Sequence, residues 1–148
     1  MTLQSWRLNS WLVQHVTSAQ EIADLWRIAD RDLAASQVKG LPADWRLAIA
    51  YNSALQSATA ALAAAGYRAS RDNHHYRVIQ ALEFTVAPDR KLIHTLDGFR
   101  KKRNLSNYDV AGSISDREAE EMLQLAKSLR ADVEKWIRRT YPELIRTK

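Results

Sequence analysis

The sequence predicts an all-α protein, an antiparallel up-and-down bundle of about five helices. Helix-favouring residues such as Ala, Leu, Arg and Glu are plentiful, while the chain of 148 residues has only four Gly and three Pro. Apolar residues recur at three- and four-residue steps in several long segments, as on one face of a helix. Sequential helices joined by short connections usually lie side by side. No segment predicts a convincing strand.

One domain is expected, preceded by an arm. A chain of 148 residues, 46% of them hydrophobic, can bury one normal core. Residues 1–16 contain Trp6 and Trp11 but follow no clean period, so this arm is expected to pack its tryptophans on the bundle. Residues 17–148 are expected to form the bundle itself.

The first two bundle helices have recognisable ends. Ser18 followed by Glu21 predicts a capping box at the start of the first helix. The second helix begins near Asp44, just after Pro42, and ends before Gly66, a natural C-terminal cap. Its predicted inner stripe includes two polar residues and runs Trp45, Ala48, Ile49, Asn52, Leu55, Thr59 and Leu62.

Three further helices follow. The third, residues 74–86, is expected to be capped by Asp72 or Asn73, and its inner face includes Tyr76. The fourth starts near Pro88 and ends in a run of basic residues. The fifth opens at Ser115, where Glu118 completes a capping box. The residues predicted to be buried are Trp26, Ile49, Leu55, Leu82, Leu96, Phe99, Leu125 and Leu129.

Composition limits the function. The chain has no Cys, so disulfides and thiolate metal sites are excluded. It has no run of about 18 apolar residues and no signal peptide at its start, which favours a cytoplasmic protein without a membrane span. No metal and no other cofactor is expected. A net charge of +5 and a pI near 9.7 are compatible with a polyanionic partner.

The segment "RKKR" at the end of the fourth helix is the candidate for contact with nucleic acid. Arg100, Lys101 and Lys102 are expected to point into water and to supply a diffuse positive field. Arg103 differs, because it follows Phe99 by four residues and so falls on the apolar stripe. A guanidinium there needs an anion or several acceptors, and phosphate suits its bidentate geometry.

A small polar pocket is therefore predicted around Arg103. Asn52 lies on the inner stripe of the second helix, and Asn104, Asn107 and Tyr108 follow the basic segment closely enough to turn back over it. A simpler explanation stays open. Basic residues at a helix C-terminus interact favourably with the helix dipole, and asparagines are common in turns, so neither needs a ligand.

The four histidines are His15, His74, His75 and His94. His74 and His75 open the third helix, where a neutral imidazole can act as a cap. Adjacent residues of a helix face different sides, so the pair is a weak metal signal. Each of the four is expected to be structural rather than catalytic.

Three segments, "AYNSALQSATAALAAAGYR", "NHHYRVIQAL" and "LDGFRKKR" followed by "NLSNYD", resemble the HEPN superfamily of small helical bundles. The likeness extends from about residue 17 to residue 138, and the late-helix pattern LDxxRxKRNxxxYD is fairly specific. The superfamily's recurring motif is an Arg, a polar residue that is often Asn, a few variable residues and a His. The match places Arg103 and Asn104 on the first two, and Tyr108 on the His.

The resemblance implies a homodimer that binds RNA or a nucleotide-related partner, in a toxin–antitoxin or defence pair encoded beside a nucleotidyltransferase. Five tryptophans independently favour a dimer, because Trp is enriched at interfaces. In members that cleave RNA, the motif forms a metal-independent site where two subunits meet, so Arg103, Asn104 and Tyr108 would be catalytic. A tyrosine pKa of about 10 makes Tyr108 a poor base. A ribonuclease and a non-catalytic helical interaction protein are therefore alternatives.

Overall fold

The computed structural model describes residues 1–106 and 114–145, without the side chains of residues 104–106. It confirms an all-α helical bundle. A short helix and strand in the arm precede the long helices, and two 3₁₀ turns follow α4 and α6. The elements are α1 (Leu3–Leu8), β1 (Leu12–Gln14), α2 (Ala19–Ala35), α3 (Ala43–Ala64), β2 (Tyr67–Ala69), α4 (His74–Gln80), α5 (Arg90–Ser106) and α6 (Asp116–Thr140), with 3₁₀ turns at Ala81–Phe84 and Pro142–Leu144.

Local signals place the ends of the long helices. The Ser18 hydroxyl accepts the backbone N–H of Glu21 at 3.1 Å and caps α2. The Glu21 carboxylate does not complete the predicted box, because it accepts hydrogen bonds from Thr17 and His15 instead. At α6, Ser115 and its partner three residues later form the full reciprocal box. Gly66 follows α3 at a φ of +97°, the left-handed region that favours glycine.

Helix α3 is the centre of the bundle. It packs mainly against α2 and α6, and α4 and α5 cover the remaining side. Small residues fill much of its surface, so its neighbours approach closely and nearly all of its second half is buried. Because of this burial, the predicted inner stripe covers only part of the α3 surface that lies in the core. Trp45 on that stripe is in fact 61% exposed, and Ile49 is only half-buried, while Leu47 and Ala50 lie in the core.

Two strands correct the expectation that the chain has none. Strand β1 of the arm pairs in antiparallel register with β2, which follows α3, and Leu12 lies opposite Ala69. Each strand has three residues, too few for an alternating pattern to show in the sequence. The arm packs on the bundle through its tryptophans. The buried Trp6 meets Trp11 and Phe84 edge-to-face at centroid distances of 5.5 and 5.2 Å.

The third predicted helix is shorter than expected, and a different set of its side chains faces the core. Helix α4 ends at Gln80, and the chain continues as a 3₁₀ turn. Asn73 precedes α4 in the left-handed region, with a φ of 54°, and its side chain forms no capping hydrogen bond. Tyr76 was placed on the inner face, but its ring is exposed, because Val78 and Ile79 are the residues of α4 that enter the core.

Most of the predicted core is correct. The five residues found buried are Leu55, Leu82, Leu96, Phe99 and Leu129. Trp26, Ile49 and Leu125 are half-buried at the edges of the core. Arg130 covers the ring of Trp26 at 3.9 Å, and Leu125 lines a surface groove between α5 and α6.

None of the helices within residues 1–106 and 114–145 combines the length and the apolar character that crossing a bilayer requires.

The ends of three helices meet at one end of the bundle. Arg46 near the start of α3 pairs with Asp116 at the start of α6, at 2.7 Å. Lys102 near the end of α5 pairs with Glu118 of α6. The basic segment therefore lies where α3 and α6 begin.

Candidate functional site

Arg103 lies in the last turns of α5, one turn after the buried Phe99. Its side chain is half-buried rather than fully in water. The guanidinium carbon lies 5.4 Å from the centroid of the Tyr51 ring on α3, within the range of a cation–π contact. Because the ring belongs to the central helix, it holds the cation at a defined place on the bundle surface.

Tyr51 is the buried floor of this site. Only 1% of the residue is exposed. Burial raises the pKa of the Tyr51 hydroxyl to about 12, although the positive charges of Arg103 and Arg100 act in the opposite direction. The hydroxyl therefore keeps its proton near neutral pH. Its oxygen lies 3.4 Å from Nδ1 of His75, a long hydrogen bond.

His75, in the first turn of α4, is half-buried beside this hydroxyl. Burial lowers the pKa of His75, and the nearby charges of Arg103, His74 and Arg100 lower it further. The imidazole is therefore neutral at pH 7 and can take or give a proton through the nitrogen that does not face Tyr51. We use the name Arg103 site for Arg103, Tyr51, His75 and the adjacent Arg100.

Two carboxylates partly neutralise the basic segment, which changes the expectation that its first three residues only point into water. Nε of Arg100 donates to Asp97 at 2.7 Å, and only 20% of the Arg100 side chain is exposed. Nζ of Lys101 lies 3.8 Å from the same carboxylate and is well exposed. Lys102 pairs with Glu118 across the helix junction. Arg100 is thus held by a short ion pair, while Lys101 remains a largely exposed surface cation.

The predicted pocket residues are placed apart where the structure describes them. Nδ2 of Asn52 donates to Asp32 of α2 at 2.6 Å, so this amide is engaged between α2 and α3. Its neighbour Tyr51 is the α3 residue that meets Arg103. The Asn104 side chain, Asn107 and Tyr108 lie outside the described residues.

Sequence reasoning missed the roles of Tyr51 and His75. The two are 24 residues apart, and only the packing of α4 against α3 brings them together. The signal available in the sequence was Arg103 itself. A cation on an apolar stripe indicates that an aromatic or polar residue must face it from a neighbouring helix.

Comparison of the chain with protein-family models, with curated proteins and with solved structures finds no match. The chemistry of the site must be inferred from its own residues. Two guanidinium groups can bind phosphate oxygens, and a neutral imidazole beside them can transfer a proton. Within the described part of the chain, no three His, Asp or Glu side chains are grouped so that they could hold a metal ion.

Proposed function

We propose that this chain binds RNA through phosphate contacts at the Arg103 site, as a HEPN-like bundle. The observation that carries the proposal is the placement of Arg103 over the buried Tyr51 ring, next to Arg100 and His75. A guanidinium anchored on a rigid helix is preorganised for bidentate contact with phosphate. Lys101 adds longer-range attraction for a polyanion. The resemblance to HEPN proteins supports the same assignment.

Equilibrium binding of a fluorescein-labelled RNA, followed by anisotropy, tests this proposal. Arg103→Ala is expected to weaken binding strongly, while Arg27→Ala, which removes an exposed cation of α2 paired with Asp24, serves as the matched control. Equal binding by the parent, the Arg103 variant and the control would leave Arg103 as a helix-end cation only.

Cleavage of RNA is the second candidate function, and the position of His75 favours it. Tyr108 is a poor base, whereas His75 has a lowered pKa and lies near Arg103. In such a step His75 removes the proton of a 2′-hydroxyl, whose oxygen attacks the adjacent phosphorus. The 5′-oxygen leaves with a proton from water, and Arg103 stabilises the charged phosphorane.

This chemistry predicts products with a 2′,3′-cyclic phosphate and a 5′-hydroxyl, formed in the presence of EDTA. A substrate with one 2′-deoxynucleotide is expected to resist cleavage at that position. His75→Ala should abolish cleavage and retain RNA binding, while His94→Ala, an exposed residue of α5, should retain both. Binding without any cleavage in the parent would leave RNA binding alone as the function.

A homodimer belongs to the same proposal. The groove between α5 and α6 has an apolar floor that includes Leu92 and Leu125, and its rim carries Lys91 and Arg117 as well as Glu121. A rim with both signs of charge is self-complementary across a twofold axis. Leu125→Arg is expected to convert a dimer into a monomer in light scattering, and a parent chain that is already monomeric at high micromolar concentration would contradict it.

The resemblance further implies a nucleotidyltransferase partner. Its gene is expected beside the gene for this chain, and the two proteins are expected to co-purify when they are expressed together. If the neighbouring genes encode no such enzyme, the toxin–antitoxin role loses its support, whereas RNA binding at the Arg103 site does not.

A further inference from the structure

Aromatic rings and guanidinium groups alternate along the surface where the arm, α4 and α5 meet. The guanidinium carbon of Arg77 lies 3.9 Å from the centroid of the Trp11 ring and 5.6 Å from that of Tyr76. The guanidinium carbon of Arg100 lies 5.5 Å from the same Tyr76 ring. We call these four residues the aromatic–arginine row.

The distances from the guanidinium groups to the ring centroids show that Trp11 and Tyr76 have different roles. At 3.9 Å the Arg77 guanidinium is in direct contact with the face of Trp11, so Trp11 serves to anchor this cation. The two guanidinium groups near Tyr76 lie more than 5 Å from its centroid, and 36% of the residue is exposed. Tyr76 is therefore the more open ring of the row, and two cations held by other contacts lie within cation–π range of it.

The row adjoins the Arg103 site. Successive residues of a helix point about 100° apart, so three successive residues at the start of α4 contact three different parts of the protein surface and core. His75 faces Tyr51, Tyr76 faces solvent beside Arg100, and Arg77 faces the arm. Arg100 belongs to both groups, because Asp97 holds it between Tyr76 and the Arg103 end of α5.

We infer that the ligand is single-stranded nucleic acid, with one unpaired base stacked on the exposed part of the Tyr76 ring beside Arg77 and Arg100 and a neighbouring phosphate at Arg103. This inference rests on the proposed function, which supplies the phosphate contact. Exposed aromatic rings interleaved with cations are the means by which proteins bind single strands, since every base has a face that can stack. In a duplex the bases are already stacked inside and cannot reach such a ring.

Other polyanions would use the cations without the ring. An acidic peptide or an anionic membrane surface would meet Arg77 and Arg100 by charge, but neither offers a planar base to Tyr76. The aromatic ring therefore distinguishes nucleic acid from these partners, and a preference for single strands distinguishes stacking from phosphate attraction alone.

The test compares four labelled ligands of equal length by anisotropy: single-stranded RNA, single-stranded DNA, duplex RNA and an acidic peptide. Single strands are expected to bind more tightly than the duplex or the peptide. Tyr76→Ala is expected to weaken single-strand binding by about fivefold to a hundredfold. Tyr76→Phe keeps the ring and should bind like the parent. Tighter binding of single-stranded RNA than of single-stranded DNA would identify RNA as the preferred ligand.

The salt dependence and a matched aromatic variant make the result specific. Tyr76→Ala should leave the slope of log affinity against log salt unchanged, because the tyrosine is uncharged. Tyr141→Ala, which removes a ring packed on Trp136 at 5.5 Å after α6, should not change binding. Ultraviolet cross-linking of the parent protein followed by mass spectrometry should place a base on Tyr76, which needs no variant to fold.

The outcomes separate this inference from the proposed function. Equal binding of duplex and single strand, with no effect of Tyr76→Ala, would overturn the stacking of a base, and a simultaneous loss in Arg103→Ala would keep the phosphate site. Binding of the acidic peptide but of no nucleic acid would overturn both proposals.

Discussion

Nδ1 of His75 lies 3.4 Å from the hydroxyl oxygen of Tyr51, and the same tyrosine ring supports Arg103 from below. The proposed proton-transfer group and the proposed phosphate-binding group thus both contact one buried side chain of the central helix. The direction of the hydrogen bond sets the chemistry. If Nδ1 accepts the tyrosine proton, Nε2 carries the ring proton, and if Nδ1–H donates, Nε2 is free to take one.

Tyr51→Phe tests the hydroxyl separately from the ring. The variant keeps the support for Arg103, so RNA affinity should stay near that of the parent. The loss of one long hydrogen bond should lower the free energy of unfolding by about 0.5–1.5 kcal/mol in urea denaturation. Tyr51→Ala should cost roughly 3–5 kcal/mol, because it also leaves a cavity in the core. Strong RNA binding by a folded Tyr51→Ala protein would show that Arg103 does not need the ring.

Acidification should destabilise the fold through His75. Its pKa is lowered in the folded state, where Tyr51, His74, Arg100 and Arg103 surround it, so the unfolded chain takes up the proton first. Stability is therefore complete above the ordinary pKa of 6.5 and declines as the pH falls from there to the folded value. Urea denaturation between pH 7.5 and 5 measures this decline.

His75→Gln should flatten the pH dependence over this window, and His94→Gln, at an exposed histidine of α5, is the matched control that should retain it. The lowered carboxyl pKa values of Glu21 and Glu134 act at lower pH, since their ordinary value is 4.5. An NMR titration in which the His75 ring has a pKa at or above 6.5 would contradict the argument.

Arg103 and Lys101 should differ in how they bind RNA. Arg103→Ala is expected to cost about 1.5–3 kcal/mol of binding free energy, because a charge-assisted hydrogen bond is lost. Arg103→Lys should restore little, since an ammonium lacks the planar fork. Lys101→Ala should weaken binding modestly and reduce the salt slope by about 1. Titrations at several salt concentrations measure both effects, and identical behaviour of the two alanine variants would refute the distinction.

The bond between Asn52 and Asp32 should be structural. Asp32 is buried, and it accepts hydrogen bonds from Asn52 and Arg31. Asp32→Ala is expected to lower the free energy of unfolding by about 1–3 kcal/mol, because the half-buried Asn52 amide loses its acceptor. Asp24→Ala removes an exposed, paired carboxylate of the same helix and should change the free energy of unfolding little. If Asn52→Ala weakened RNA binding in a protein of unchanged stability, Asn52 would belong to the RNA-binding site after all.

Local chemistry explains why the long helices could be predicted from the sequence. The cap at Ser18, the capping box at Ser115 and the glycine at residue 66 each act within a few residues, so their signals are present in the chain itself. The burial of α3 could not be inferred in the same way. Its four neighbours cover it on several sides, which erases the one-sided pattern that a surface helix shows.

The neighbours of Arg103 in the candidate site could be predicted only in part, for a related reason. Arg103 could be selected because its spacing from Phe99 is local. Tyr51, His75 and Trp11 could not be joined to it, because their positions depend on how α4 and the arm dock. Asp97, by contrast, was within reach of sequence reasoning, since a carboxylate three residues before Arg100 on a helix predicts an ion pair.

The pairing of β1 with β2 has a consequence for the order of folding. Leu12 and Ala69 lie opposite each other across the two strands but are 57 positions apart in the chain, and α2 and α3 lie between them. Closing so long a loop costs entropy that the helical hairpin must first offset, so we expect the arm to dock after α2 and α3 have formed. During synthesis the arm would then leave the ribosome before α2 and α3 but dock after they have formed. Pulsed hydrogen exchange should show late protection of the Val13 and Arg68 amides relative to those of α3.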